Sequence, residues 1–550
     1  MVHVRAPRLA RALLAALALA AAAWGGSVDA QDTHRLPAFP LDLVAPGLTG
    51  YGLTMGPGDR LERFEVRVVA LQTGMGPAGS PLVLVETRGA FIDAAGGVAA
   101  GMSGSPVYLD HAGERTLLGA IGYVFPDADG RLALVTPIDT MRTQTATQAS
   151  SPPGAVPVAT PLLVAGLGER ALAMLERTVH DVASHPLMLV QAGGAGSADG
   201  PTDPLEPGSA FAIALVRGDV DVAAIGTVTE VVGDEVLALG HPFLGVGPSG
   251  WILAPASITA VVPNRRVPFK LGTVGSEVLG AVVADRPAGV AARLGIEPPL
   301  LPVTLTIDAG GERTVLRFEV VTSEPLWPLL VAVATLEGLD RAWQRVSAGS
   351  AHLAWELELA GGPPLRILEE VSHEGDVALE AARMAGAPLA LLARNPFEAP
   401  RPTGLQLLIE VDDQRRDGEI VEALLEEGPV LAGGTLGVFL RLQPWRRQSE
   451  VHALTITLPD ELAEDAELVV RGAGEPRDDE HEGGVDTLIL SYAELLTVLR
   501  ERPRSGDLVI EVRGADGRWQ VLERRSLPYL VRGVERVPLV FTAEAADDDE

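Results

Sequence analysis

The chain has 550 residues, 47% of them hydrophobic but only 4% aromatic, so its apolar content is Val, Leu and Ala punctuated by 61 Gly and 42 Pro. Its 43 basic and 73 acidic side chains leave a formal net charge of −30, which repels phosphate backbones and argues against nucleic acid as a partner. With no cysteine there is no thiol nucleophile, no thiolate zinc site and no disulfide.

The N-terminus comes first in chain order. Arg5, Arg8 and Arg11 precede an apolar run from Leu13 to Trp24, and small residues lead to Val28-Asp29-Ala30. This pattern predicts a secretory signal peptide over residues 1–30, and hence a secreted or periplasmic protein with no membrane span after cleavage. Residues 31–142 read as short strands and Gly-rich turns. Strands are expected at Phe64–Val68, Pro81–Glu86, Thr116–Phe125 and Leu132–Ile138. Residues 143–160, rich in Thr, Gln, Ser and Pro, read as a linker.

A second β block is expected over 161–310. Its strands lie at Phe211–Val216, Val220–Val232, Glu235–Leu239, Ile258–Val262 and Val303–Ile307, and Gly233-Asp234 marks a hairpin. Residues 311–349 read as a helical connector, with Leu329, Leu330, Val333, Leu336 and Leu339 at helical spacing. Residues 350–543 read as β-sandwich-like modules, candidate surfaces for a protein partner, with one helix announced by the capping box Ser491…Glu494. An acidic tail, 544–550, closes the chain.

One short segment has the chemistry of a nucleophile. A serine attacks when a base takes its proton, backbone N–H groups face the developing oxyanion and the turn presents the hydroxyl. Gly101-Met102-Ser103-Gly104-Ser105-Pro106 suits the last two conditions. The frame matches the Gly-Asp-Ser-Gly-Gly-Pro nucleophile segment of trypsin-like enzymes. It sets Ser103, rather than Ser105, as nucleophile, with the N–H groups of Gly101 and Ser103 as the oxyanion hole. Among the histidines His241 stands out, because it ends the apolar strand Val236–Leu239 between Gly240 and Pro242, where a scaffold can aim it. Asp93, Asp219, Asp221 and Asp234 are the carboxylates considered for orienting it. His180 and His185 have no obvious third ligand, so no metal is expected, and no cofactor motif is present.

Gly96–Tyr108, with Leu118-Gly119-Ala120-Ile121-Gly122 after it, resembles the nucleophile segment of the SpoIVB peptidase family. Ala238-Leu239-Gly240-His241 is similar to the segment that carries that family's histidine. The resemblance spans about Gly47 to Ile307. It implies a chymotrypsin-like two-part β-barrel, a Ser103–His241 pair and a protein or peptide substrate. Three departures accompany it. Serine precedes histidine here, the stretch where the family's acid would fall reads Glu86-Thr87-Arg88, and no PDZ-like segment is evident. The expectation is a mostly β protein acting as an exported serine endopeptidase. The alternative is a non-catalytic secreted scaffold on the same fold.

Overall fold

The computed structural model describes residues 35–143, 152–183, 187–191, 203–264, 266–323, 325–462, 466–476, 491–515 and 517–540. The expected signal peptide, residues 144–151 of the expected linker, the acidic tail, His34, His185 and His481 lie outside them. Half of the chain is strand and 17% is helix, so the molecule is mostly β.

The first six strands are β1 (Thr49–Gly56), β2 (Arg60–Gln72), β3 (Leu82–Arg88), β4 (Pro106–His111), β5 (Glu114–Val124) and β6 (Leu132–Pro137). They pair antiparallel in the order β4-β1-β2-β3-β6-β5, and β5 returns to β4 to close a barrel. Alternation drives this closure. Along β2 the buried positions are Phe64, Val66 and Val68, which meet Val83, Val85 and Val135 inside while charged neighbours face out. Two short helices flank the barrel, α1 (Ala90–Ala95) and α2 (Ile138–Thr143). The expected linker contributes β7 (Val156–Pro157), which pairs with β5.

Beyond β8 (Pro161–Ala165), α3 (Glu169–Val182) and β9 (Met188–Gln191) comes a second ring. Its strands are β10 (Ala210–Gly218), β11 (Asp221–Val232), β12 (Glu235–Ala238), β13 (Gly247–Val262), β14 (Phe269–Val274), β15 (Gly280–Arg286) and β16 (Gly289–Leu294). The order β10-β13-β15-β16-β12-β11 closes through β11 pairing with β10, and β14 hangs on β13. The hairpin expected at Gly233-Asp234 joins β11 to β12, with Gly233 at φ +61°. The two expected β blocks are thus two six-stranded antiparallel barrels.

The next segments differ from expectation. The presumed helical connector opens with a strand, β18 (Glu312–Val321), which pairs with β17 (Leu300–Ala309) before α4 (Leu326–Trp343) begins. Residues 349–412 are not a sandwich. β19 (Gly349–Leu359), β20 (Leu365–His373) and β21 (Pro402–Asp412) extend the barrel-two sheet, because β21 lies parallel to β17. A parallel neighbour requires a crossover, and the chain between β17 and β21 makes it through α4 and α5 (Val377–Ala393). That helix is Ala-rich, carries Pro388 and is buried on most sides, so it lacks the one-face periodicity that announces a surface helix.

The sandwich begins at residue 417. One sheet comprises β22 (Asp417–Leu425), β23 (Thr435–Pro444), β24 (Glu450–Thr457) and β28 (Leu530–Arg532). The other comprises β25 (Glu467–Gly472), β26 (Asp507–Arg513), β27 (Trp519–Ser526) and β29 (Val534–Pro538). Val438, Leu440, Leu468, Val470 and Ile510 fill the space between them. Helix α6 (Tyr492–Glu501) starts at the expected cap, where Ser491 Oγ accepts from Glu494 N at 3.2 Å. Among the described residues no helix is long and apolar enough to cross a membrane.

Candidate active site

Ser103 sits in the turn between α1 and β4 of barrel one, and His241 in the loop between β12 and β13 of barrel two. The barrels bring these two segments together backbone to backbone. Thr227 of β11 donates its N–H to the Ser103 carbonyl at 2.9 Å, and Thr229 Oγ1 donates to the Gly104 carbonyl at 2.8 Å. Gly104 N–H donates to the Ile121 carbonyl at 2.9 Å, and Ile121 N–H to the Ser105 carbonyl at 3.0 Å. Gly104 explains the glycine in the motif. Its φ is +93°, and an added Cβ would collide with the Thr227 carbonyl oxygen and lie 2.6 Å from Leu239 N.

The histidine loop has its own constraints. Leu239 and Gly240 both have positive φ, +68° and +69°, an αL pair that turns the chain sharply out of β12. Thr136 Oγ1 of barrel one donates to the Gly240 carbonyl at 2.6 Å. The His241 ring lies edge-on to Tyr123, with centroids 6.2 Å apart. His241 Nδ1 is 2.7 Å from the Pro242 carbonyl oxygen. A carbonyl only accepts, so Nδ1 carries the hydrogen in this contact and the neutral ring presents Nε2 as its basic atom.

Ser103 and His241 are both 0% exposed. Among the described residues Ser103 Oγ has no hydrogen-bond partner, so the serine–histidine hydrogen bond of an assembled dyad is not formed. Ser105 Oγ is equally buried and likewise unpartnered among the described residues. The Gly101 N–H, expected in the oxyanion hole, donates to the Ala159 carbonyl at 3.1 Å.

The four carboxylates considered from sequence are committed elsewhere. Asp93 pairs with Arg131 at 3.0 Å, and Asp234 with Arg293 at 3.3 Å, both in solvent. Asp219 accepts from Arg317 N at 2.7 Å. Asp221 accepts from Gly218 N at 3.0 Å, and burial raises its pKa.

The carboxylate that serves the histidine loop is Asp285 of β15. It is 0% exposed and accepts the N–H groups of Phe243, Leu244, Gly245 and Val246 at 2.7, 2.8, 2.6 and 3.3 Å. Burial raises its pKa, and the four N–H bonds pull against that shift. A carboxylate spent on backbone donors leaves no spacing signature in a sequence.

A second buried group is Lys270 of β14. Its backbone lies against the nucleophile segment, with Lys270 N–H donating to the Ala100 carbonyl at 3.0 Å and Ala100 N–H to the Pro268 carbonyl at 2.7 Å. Composition does signal this residue, because it is the single lysine in a chain whose other basic side chains are all arginine. Farther along the same strand, Gly272, Thr273 and Val274 line a cavity of about 680 Å³. Leu163, Val216, Ile252, Val303 and Phe318 make it mainly apolar.

Among the described residues no group of three His, Asp or Glu side chains is placed to hold a metal ion. His180 is exposed on α3. No family model matches the chain, and no curated protein matches it.

Proposed function

We propose that this chain is an exported serine peptidase of the SpoIVB type, with Ser103 as nucleophile and His241 as general base. The observation that carries the reading is the joint itself. A glycine-bounded serine turn from one barrel packs on the loop of a buried histidine from the other, whose Nδ1 lies 2.7 Å from the Pro242 carbonyl oxygen.

In the reaction His241 Nε2 takes the proton of Ser103 Oγ as the oxygen attacks the scissile carbonyl of a peptide. The imidazolium then protonates the leaving amine, and water resolves the acyl-enzyme by the same base. The Pro242 carbonyl does the orienting work usually given to a carboxylate, because it holds Nδ1–H in place throughout. The apolar cavity along β14 suits an apolar substrate side chain. Attack requires an opening step. Ser103 is fully covered, and Gly101 N–H must leave the Ala159 carbonyl before it can serve an oxyanion.

That same closure favours a second reading, a non-catalytic scaffold in which the serine turn is only a barrel-to-barrel joint. A fluorophosphonate probe separates the two. The peptidase reading expects labelling of the purified protein that is lost in Ser103→Ala and His241→Ala while their circular dichroism stays unchanged. Equal labelling of all three proteins, or none in any, rejects it in favour of the scaffold.

A further inference from the structure

Of the 43 basic side chains in this sequence, one is a lysine. Lys270 is 0% exposed, and its Nζ lies 2.7 Å from Thr54 Oγ1 of β1 and 3.3 Å from Thr227 Oγ1 of β11. The Thr227 hydroxyl gives its hydrogen to the Gly101 carbonyl at 2.8 Å, so its oxygen accepts from the amine. The lysine stem covers Gly101, where an added Cβ would meet Lys270 Cδ at 3.3 Å.

We propose that Lys270 is a positioning residue for the nucleophile: its buried amine, acting through the Thr227 hydroxyl, clamps the Ser103 turn and fastens the two barrels at that point. As a statement about a nucleophile this rests on the peptidase reading. As a clamp on the turn it does not.

The chemistry explains why lysine survives here and nowhere else in the chain. Every other basic position uses a guanidinium, which stays ionised and needs a carboxylate or water. The groups facing Lys270 Nζ are hydroxyls, Thr54 from barrel one and Thr227 from barrel two. Among the described residues no carboxylate lies within ion-pair reach of it. Burial alone pushes its pKa down to about 7. A neutral amine both donates and accepts, so it fits between two hydroxyls where an arginine does not. Thr227 then holds the turn twice, by its hydroxyl on the Gly101 carbonyl and by its N–H on the Ser103 carbonyl.

The test uses the full chain. Lys270→Met keeps the stem and removes the amine. Its expected effect is about a tenfold loss of hydrogen-exchange protection at the Gly104 and Thr227 amides, with amides of the sandwich unchanged. Thr227→Val reproduces that loss, and Thr227→Ser, which keeps the hydroxyl, restores the protection. Fluorophosphonate labelling slows in step with the exchange.

A single lysine also permits a direct titration. Selective ¹³C-lysine labelling gives one side-chain resonance, expected to titrate near pH 7. A midpoint at the ordinary value of 10.5 overturns the proposal, as does full protection of the turn in Thr227→Val. Wild-type protein that fails to label, with Lys270→Met still loosening the turn, sinks the peptidase reading and leaves the clamp. Labelling at the wild-type rate in Lys270→Met, with the turn protected, does the reverse. Should Lys270→Met not fold, the lysine titration and the Thr227 pair decide.

Discussion

Replacing Asp285 by Asn changes one atom, and its effect is expected to be large and local. The carboxylate holds the loop after His241 with one N–H on Oδ1, from Phe243, and three on Oδ2, from Leu244, Gly245 and Val246. An asparagine amide turns one of those two atoms into a donor. In the better orientation the carbonyl keeps three N–H groups and the Phe243 N–H faces an NH₂. One charge-assisted bond is lost, at about 1.5–3 kcal/mol, and three others fall to neutral strength, at roughly 1 kcal/mol each. The relief of no longer burying a charge offsets part of this, as the raised pKa of Asp285 indicates. A net cost of about 3 kcal/mol corresponds to roughly a hundredfold rise in opening of the loop. Hydrogen exchange at the Phe243, Leu244 and Gly245 amides reads that opening directly. Labelling of Ser103 is expected to fall with it, since the same loop aims His241. Protection within about threefold of wild type would mean that the carboxylate is not what holds the loop.

Lys270 makes stability depend on pH in a defined direction. Its pKa is about 7 in the fold and 10.5 outside it, so between those values the unfolded chain holds the extra proton. Stability of the barrels therefore rises as pH climbs through that window, by up to about 5 kcal/mol, and the penalty is full below it. Lys270→Met should flatten the rise when urea midpoints are compared at about pH 6.5 and about pH 9.5. Gly104→Ala places a Cβ against the Thr227 carbonyl at φ +93° and is expected to cost about 3 kcal/mol or more, read as a lowered melting temperature, with loss of labelling. Thr304→Trp, at the half-buried lining of the apolar cavity, should raise KM for peptides with bulky apolar side chains and leave kcat unchanged. An unaltered KM would separate the cavity from substrate binding.

Part of barrel one is legible in the sequence because β2 has one wet face, whereas β5, β10 and β11 are buried on both faces and read only as apolar runs. The alternation at Phe64-Glu65-Val66-Arg67-Val68 marks β2 and the Gly233-Asp234 turn marks the β11–β12 hairpin, while β1, β14, β15 and β16 carry no such signal and the register of the strands is not legible. The serine turn is legible because glycine is required where backbones touch. Less is visible where a residue acts through backbone atoms. Asp285 stands 44 positions after His241 and binds only N–H groups, so neither spacing nor residue type marks it. Of the carboxylates that sequence suggested, Asp219 and Asp234 lie in the connections between strands, Asp93 in α1 and Asp221 at the start of β11, where it accepts from the nearby Gly218 N–H. Lys270 left a compositional mark, one lysine against a background of arginine, but its two partners, Thr54 and Thr227, come from distant segments. The α/β unit at 349–412 was hidden for a different reason. Its strands alternate like sandwich strands, while α5 is apolar nearly all round.

The proposed nucleophile is one oxygen atom, Ser103 Oγ, beside a second serine two residues away that is just as deeply buried. Mass mapping of a fluorophosphonate adduct on the purified wild-type protein tests it most directly. One adduct per chain on Ser103, absent in His241→Ala, is the expected result. An adduct on Ser105, or stoichiometric protein that carries none, would contradict it.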